Sequence, residues 1–120
     1  MDTRHFSCRE IEGLNLVCAS ASLEHYDWGN ADQWRLLKEE WNEIVSATHG
    51  PIVLDTRGLR INGPKLSMFW QFSKILASCD RKMAVVCSPI DNNIFEVTRS
   101  HVCFRWWNNL ETAIFDLNSS

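Results

Sequence analysis

The sequence predicts an α/β fold: a mixed, mostly parallel sheet of four to five strands, opened by a β-hairpin, with helices packed against it. Three observations carry that expectation. Two short strand-like runs separated by Glu12 and Gly13 begin the chain. Two later runs, "PIVLD" and "KMAVVCS", are continuously apolar, as strands buried on both faces of a parallel sheet are. Between the strand-like runs, apolar residues recur at helical spacing, and strand-helix alternation implies parallel strands joined by crossover helices.

Each element has its own signal. "HFSCREI" and "LNLVCAS" form the hairpin strands, and the turn-rich "EHYDWGN" follows. In "ADQWRLLKEEWNEIVSATHG", Trp34, Leu37, Trp41, Ile44 and Val45 share a helical stripe. Asn30 with Gln33 has capping-box spacing, and Gly50-Pro51 stops the helix. After the strand "PIVLD" comes "GPKLSMFWQFSKILASC", where Pro64 suits a first helical turn and Leu66, Phe69, Trp70, Ser73 and Leu76 line one face. "KMAVVCS" is the next strand, and "PIDNNIFEVTRS" a shorter helix with Asp91 as its expected N-cap. "HVCFRWW" reads as a last strand and "NNLETAIFDL" as a last helix, with Asn108 and Glu111 at capping-box spacing. Adjacent strand residues point to opposite faces, so at most one of Trp106 and Trp107 is expected in the core.

Composition narrows the function classes. The 120 residues suit one domain, 1–120, with a real core. The first residues, "MDTRHFSCREIEG", mix charges and lack the apolar centre of a secretory signal, so a cytoplasmic location is expected. No apolar run approaches the roughly 18 residues of a membrane span, so no membrane insertion is expected. The net charge of −3 comes from mixed signs without a basic block, which disfavours nucleic acid as a partner. Cys8, Cys18, Cys79, Cys87 and Cys103 are odd in number and contain no C-x-x-C pair; they read as small hydrophobes in a reducing compartment. His5, His25, His49 and His101 lie in different segments with no ligand spacing, so no metal and no cofactor is expected. The six tryptophans read as packing mass, with an exposed subset available as a partner surface.

Catalytic motifs are absent. The sequence contains no phosphate-binding G-x-x-x-x-G-K-[ST] or G-x-G-x-x-G loop and no G-x-S-x-G elbow. Asp55 and Ser88, at the ends of successive strands, suggest a phospho-accepting receiver domain. Such a site needs further carboxylates for Mg²⁺, however, and the preceding strand ends in "LVCASAS". The expectation is therefore a chain without catalysis of its own.

The stretch "PIVLDTRGLRINGPKLSMFWQFSKIL" resembles the central signature of the STAS domain, the fold of bacterial anti-sigma-factor antagonists and of the cytoplasmic tails of sulfate transporters. In that family a strand ends in Asp, a Gly and an apolar residue follow, and then an apolar residue, Asp, Ser, Ser or Thr, Gly and Leu open a helix. Asp55, Gly58, Leu59, Ile61, Asn62, Gly63, Pro64, Lys65 and Leu66 take those places if one residue is deleted after Arg60. The later "KMAVVCSPIDNNIFEVTRSHVCFRWWNNLETAI" resembles the family's remaining strand, helix, short strand and closing "LE-x-A" helix, so the resemblance covers nearly the whole chain.

The resemblance implies a regulatory protein-interaction module, binding a partner kinase or anti-sigma-like regulator in signal transduction and transcription control. Its partner surface would be Asn62, Gly63, Pro64, Lys65, Leu66 and Ser67, with Ser88, Pro89 and Asp91 beside them, and Asp55 and Gly58 shaping the strand exit. In the antagonists a serine at the helix start is phosphorylated, which adds about −1.5 to −2 charges at the contact surface. Gly63 stands at that phospho-acceptor position and has no hydroxyl; Ser67 and Thr56 are the nearest alternatives. Two further readings accompany this one. In one, the chain is a structural or regulatory subunit of a lipid-transport ATPase or stressosome-like assembly; a second copy of the chain, forming a homodimer, is a further candidate partner. Alternatively, the helix starts at Pro64 and near Asp91 hold an anion or nucleotide, as some members of the family do.

Overall fold

The computed structural model describes residues 2–20, 23 and 29–118. Most of the turn-rich stretch 24–30, including His25, lies outside them. Strands β1 (Phe6–Ile11) and β2 (Leu14–Ala19) pair antiparallel, with Cys8 opposite Val17 and Ile11 opposite Leu14. Glu12 and Gly13 turn the hairpin with φ of +53° and +83°. Positive φ at both central residues matches the right-handed twist of the flanking strands.

Helix α1 (Ala31–Ala47) leads to β3 (Ile52–Asp55), α2 (Gly63–Ala77) to β4 (Met83–Val86), and α3 (Asn92–Val97) to β5 (Arg105–Trp107), before α4 (Leu110–Asn118). The five strands lie in chain order, and β2 to β5 are parallel, with Val53 level with Leu16 and Ala84. When each parallel strand is added on the same side of the last, crossovers of one hand leave their helices on one face. Residues of α1, α2 and α3 accordingly share one cluster with Phe6, Cys8, Val17, Ile52, Leu54 and Val85. Leu14, Leu16, Val53, Ala84 and Val86 point to the other face, under Ala113 and Leu117 of α4. This strict alternation is why β3 and β4 read as unbroken apolar runs.

The larger cluster is centred on Trp41 and Phe72, whose rings stack at 4.2 Å and 4°. Burial of each such side chain contributes about 1.5–3 kcal/mol. Helix α2 buries Met68 and Phe72 beyond its expected stripe. Trp106 packs partly buried on the larger cluster and Trp107 on the smaller, so both tryptophans serve the core from opposite faces of β5.

The structure corrects three boundaries. The segment 89–100 is broken, with a 3-10 turn at Pro89–Asp91, α3, and a second 3-10 turn at Ser100–Val102. The Thr98 hydroxyl donates to the Ile94 carbonyl at 2.6 Å, and Arg99 adopts φ +57°, a left-handed residue that ends the helix. The last strand begins only at Arg105, because His101 and Val102 belong to that second turn. The cap of α4 is Asn109, whose Oδ1 accepts the Thr112 amide at 3.1 Å; Asn108 faces β4 instead.

The end of α1 is held from outside. Arg81 donates from Nε to the Gly50 carbonyl (2.7 Å), from Nη1 to the Val45 carbonyl (2.8 Å) and from Nη2 to the Thr48 hydroxyl (2.9 Å). A cation there also meets the negative end of the helix dipole. At the other end of the helix, Asn30 caps α1 by accepting the Asp32 and Gln33 amides at 3.0 and 3.1 Å.

Candidate functional site

The carboxyl ends of β3 and β4 deliver two loops to one corner, residues 56–62 and 87–91. Asp55 closes β3 and immediately clamps the first loop. Its Oδ1 accepts the Arg57 amide at 3.1 Å and Nε at 3.0 Å, while Oδ2 accepts Nη2 at 2.8 Å. This bidentate pair of hydrogen bonds to the carboxylate firms the charge on Arg57. Both Asp55 oxygens are thus engaged by Arg57, which argues for a structural clamp over the phospho-acceptor of a receiver domain. The Thr56 amide and hydroxyl both donate to the Val86 carbonyl, at 2.8 and 3.0 Å, and the Leu59 amide returns to the Thr56 carbonyl at 2.9 Å. Gly58 is exposed, and an added Cβ would meet nothing within 4 Å, so the strand exit is shaped by Asp55 and Thr56 without a steric demand for glycine at 58.

Two hydrogen bonds stitch the loops together. The Ser88 hydroxyl donates to the Arg57 carbonyl at 3.1 Å, and Asp91 Oδ1 accepts the Ile61 amide at 3.3 Å. Asp91 occupies the N-cap position of α3 as expected, but its side chain makes no capping bond there: the carboxylate is taken by the neighbouring loop. Below them, Asn108 Nδ2 donates to the Cys87 carbonyl at 3.0 Å and also bonds Asn92, so the end of β5 joins the same network.

Helix α2 starts at this corner. Asn62 caps it, its Oδ1 accepting the Lys65 amide at 3.0 Å, and Pro64 sits in the first turn. The sequence placed Asn62 to Ser67 on one outward surface, and the structure divides them. Asn62, Gly63, Pro64 and Ser67 are exposed, as is Pro89, whereas Lys65, Leu66 and Asp91 are buried and Ser88 is half-buried. Lys65 is only 3% exposed and turns its ammonium back to the Arg60 carbonyl at 2.6 Å. It holds the corner from within and offers no charge to a partner. A buried lysine on an apolar stripe is the kind of residue that sequence patterning assigns to the surface.

The residue missed by sequence reasoning is Ile90, 63% exposed between Pro89 and Asp91. Periodicity alone assigns this isolated isoleucine in a polar segment to the expected helix 89–100. Of the two alternative hydroxyls, Ser67 is exposed and accepts weakly from Gln71 Nε2 at 3.5 Å, while Thr56 is buried and committed to β4. Gly63 has no positive φ, and a Cβ there would meet nothing within 4 Å, so neither the backbone nor a contact at the Cβ demands glycine.

The thiols here are poor nucleophiles. Burial, with the Asp91 charge adding to it, pushes the Cys87 thiol up to about 12, and burial followed by the Asp55 charge raises Cys18. Cys8 and Cys87 are buried and Cys18 and Cys103 half-buried, but Cys79 is exposed beyond the end of α2, against the expectation of a hydrophobe. His5 faces Glu40, while His49 and His101 are exposed. Among the described residues no group of His, Cys, Asp or Glu is arranged to hold a metal ion, and no helix is long and apolar enough to cross a membrane.

No protein-family model matches the chain, and no curated protein matches it. Among solved structures, the fold matches a crystal structure of an anti-sigma factor antagonist from Mycobacterium paratuberculosis with a TM-score of 0.71. The match covers 94% of this chain and 92% of that one at 15% sequence identity. At that identity the likeness establishes the fold: the chain has the STAS-like architecture of a mixed five-stranded sheet opened by a hairpin.

Proposed function

We propose that this chain is a non-catalytic regulatory domain of the anti-sigma-factor-antagonist type, which binds a partner kinase or anti-sigma-like protein through the exposed corner of Asn62, Gly63, Pro64, Ser67, Pro89 and Ile90. The observation that carries this reading is the pairing of an exposed apolar edge with a rigid base. Pro64, in the first turn of α2, and the 63%-exposed Ile90, in the 3-10 turn after β4, adjoin loops tied by the Asp91–Ile61 and Ser88–Arg57 bonds. A surface already held in shape loses little entropy when it binds, and exposed apolar side chains supply the favourable term. The likeness to an antagonist structure supports the same kind of partner.

Gly63 gives the corner its regulatory character. If it occupies the position of the antagonists' serine, the domain stays competent to bind because no phosphate can be placed there. Val97 and Phe115, 68% and 73% exposed away from the corner, favour a second reading in which the domain is built into a larger assembly.

The test is capture of partners by a tagged chain from cells of its source, with native mass spectrometry to identify them. Recovery of a protein with a kinase-type ATP-binding domain, lost with Ile90→Asp and retained with Phe115→Asp, is the expected result. Recovery of a multi-subunit assembly that survives Ile90→Asp but not Phe115→Asp would replace this reading with the second.

A further inference from the structure

We propose that the groove at the amino-terminal ends of β4 and β5 is a binding site for a small organic anion with an apolar body. A cavity of about 350 Å³ opens there, at the opposite end of the parallel strands from the Gly63 corner. Small-molecule sites begin at about 300 Å³. The cavity's base is apolar, formed by Met83, Phe104 and Leu117, each less than 9% exposed. Its rim is basic, with Lys82, His101 and Arg105 all exposed.

The charges do not cancel. The cavity's carboxylate, Asp116, already accepts Arg105 Nη1 at 2.8 Å. Arg81, on the wall, spends its hydrogen bonds on the Gly50 and Val45 carbonyls and the Thr48 hydroxyl, all neutral partners. Lys82 has no ion pair among the described residues. Arg81, Lys82 and Arg105 against Asp116 leave a surplus of two positive charges in one concavity, although the whole chain carries −3. Walls of low dielectric focus such a surplus on whatever enters.

The rim also holds Val102, 75% exposed. Within one opening the protein therefore presents unbalanced cations, an exposed aliphatic side chain and the edge of an aromatic core. An inorganic anion would satisfy only the first of these, and an uncharged hydrocarbon only the others. The acid group of the ligand sits by Lys82, and its body covers Val102 on the way to Phe104. Duplex nucleic acid is a poor fit, since it needs a broad basic surface where this one is a small concavity.

The experiment is a titration of the ¹⁵N-labelled full chain at low ionic strength with phenyl phosphate, with phenol and inorganic phosphate as the body and the head alone. Phenyl phosphate is expected to shift the amides of Lys82, His101, Val102 and Arg105 saturably and to bind at least about tenfold more tightly than either control. Lys82→Glu, at an exposed position, is expected to weaken it by about tenfold or more while leaving the remaining spectrum in place, and His101→Glu is the second variant should the first fail to fold. Equal binding of phenol, shifts confined to other residues, absence of a saturable shift, or unchanged affinity in Lys82→Glu would each overturn the assignment.

Discussion

Asp91 Oδ1 accepts the Ile61 amide at 3.3 Å, so a carboxylate that follows β4 fixes the loop that opens α2. Its second oxygen, Oδ2, is buried with no hydrogen-bond partner among the described residues. Asp91→Ala leaves the Ile61 amide unsatisfied and is expected to destabilise the fold by about 1–3 kcal/mol. Asp91→Asn keeps an acceptor and removes a poorly solvated charge, so its effect is expected to stay below about 1 kcal/mol. Urea unfolding of both variants measures the difference, and equal losses would show that the amide bond is not the relevant contact.

Glu40 makes stability depend on pH. Burial alone would raise its carboxyl, but hydrogen bonds from the His5 ring and amide and from Thr3 outweigh it and hold the group below its ordinary 4.5. The His5 amide donates to Oε1 at 2.8 Å, and the ring Nδ1 lies 2.6 Å from Oε2. A depressed carboxylate contributes stability that is fully present above the unfolded value and is lost as pH falls through the folded one. Wild type is therefore expected to lose more stability than Glu40→Gln as acid is added below pH 4.5, and denaturant midpoints across that range check the slope.

Arg81 closes the carboxyl end of α1 with three hydrogen bonds from one guanidinium. Arg81→Ala is expected to cost about 2–3 kcal/mol. Arg81→Lys should recover only part of this, since a single ammonium cannot reproduce the planar fork. Thermal unfolding of the two variants is the check, and full rescue by lysine would mean that charge alone matters.

The fold was legible in the sequence wherever local pattern and burial agree. Ile52, Leu54 and Val85 face one helix layer and Val53, Ala84 and Val86 the other, so an uninterrupted apolar run is the direct imprint of a doubly covered sheet. The site was legible only as a place. Asp91 has the residue type of an N-cap, yet an amide thirty positions earlier takes its carboxylate, and such a tertiary contact leaves no periodic trace. Lys65 lies on the buried side of α2 because its long stem reaches the Arg60 carbonyl, again a contact invisible to patterning. At the start of α4, Asn108 and Asn109 are equivalent by type, and only the bond to Cys87 decides which one caps.

The recognition role of the Gly63 corner is tested most directly by the affinity of the captured partner for Gly63→Glu relative to wild type, measured by calorimetry with thermal unfolding on the same samples. A Cβ at position 63 meets nothing within 4 Å, and a carboxylate there lies in the first turn of α2, where it favours the helix by about 0.3–1 kcal/mol. The prediction is at least about tenfold weaker binding with stability unchanged or slightly raised, because the charge falls inside the contact surface. Wild-type affinity in Gly63→Glu would place the partner elsewhere on the molecule and contradict the account.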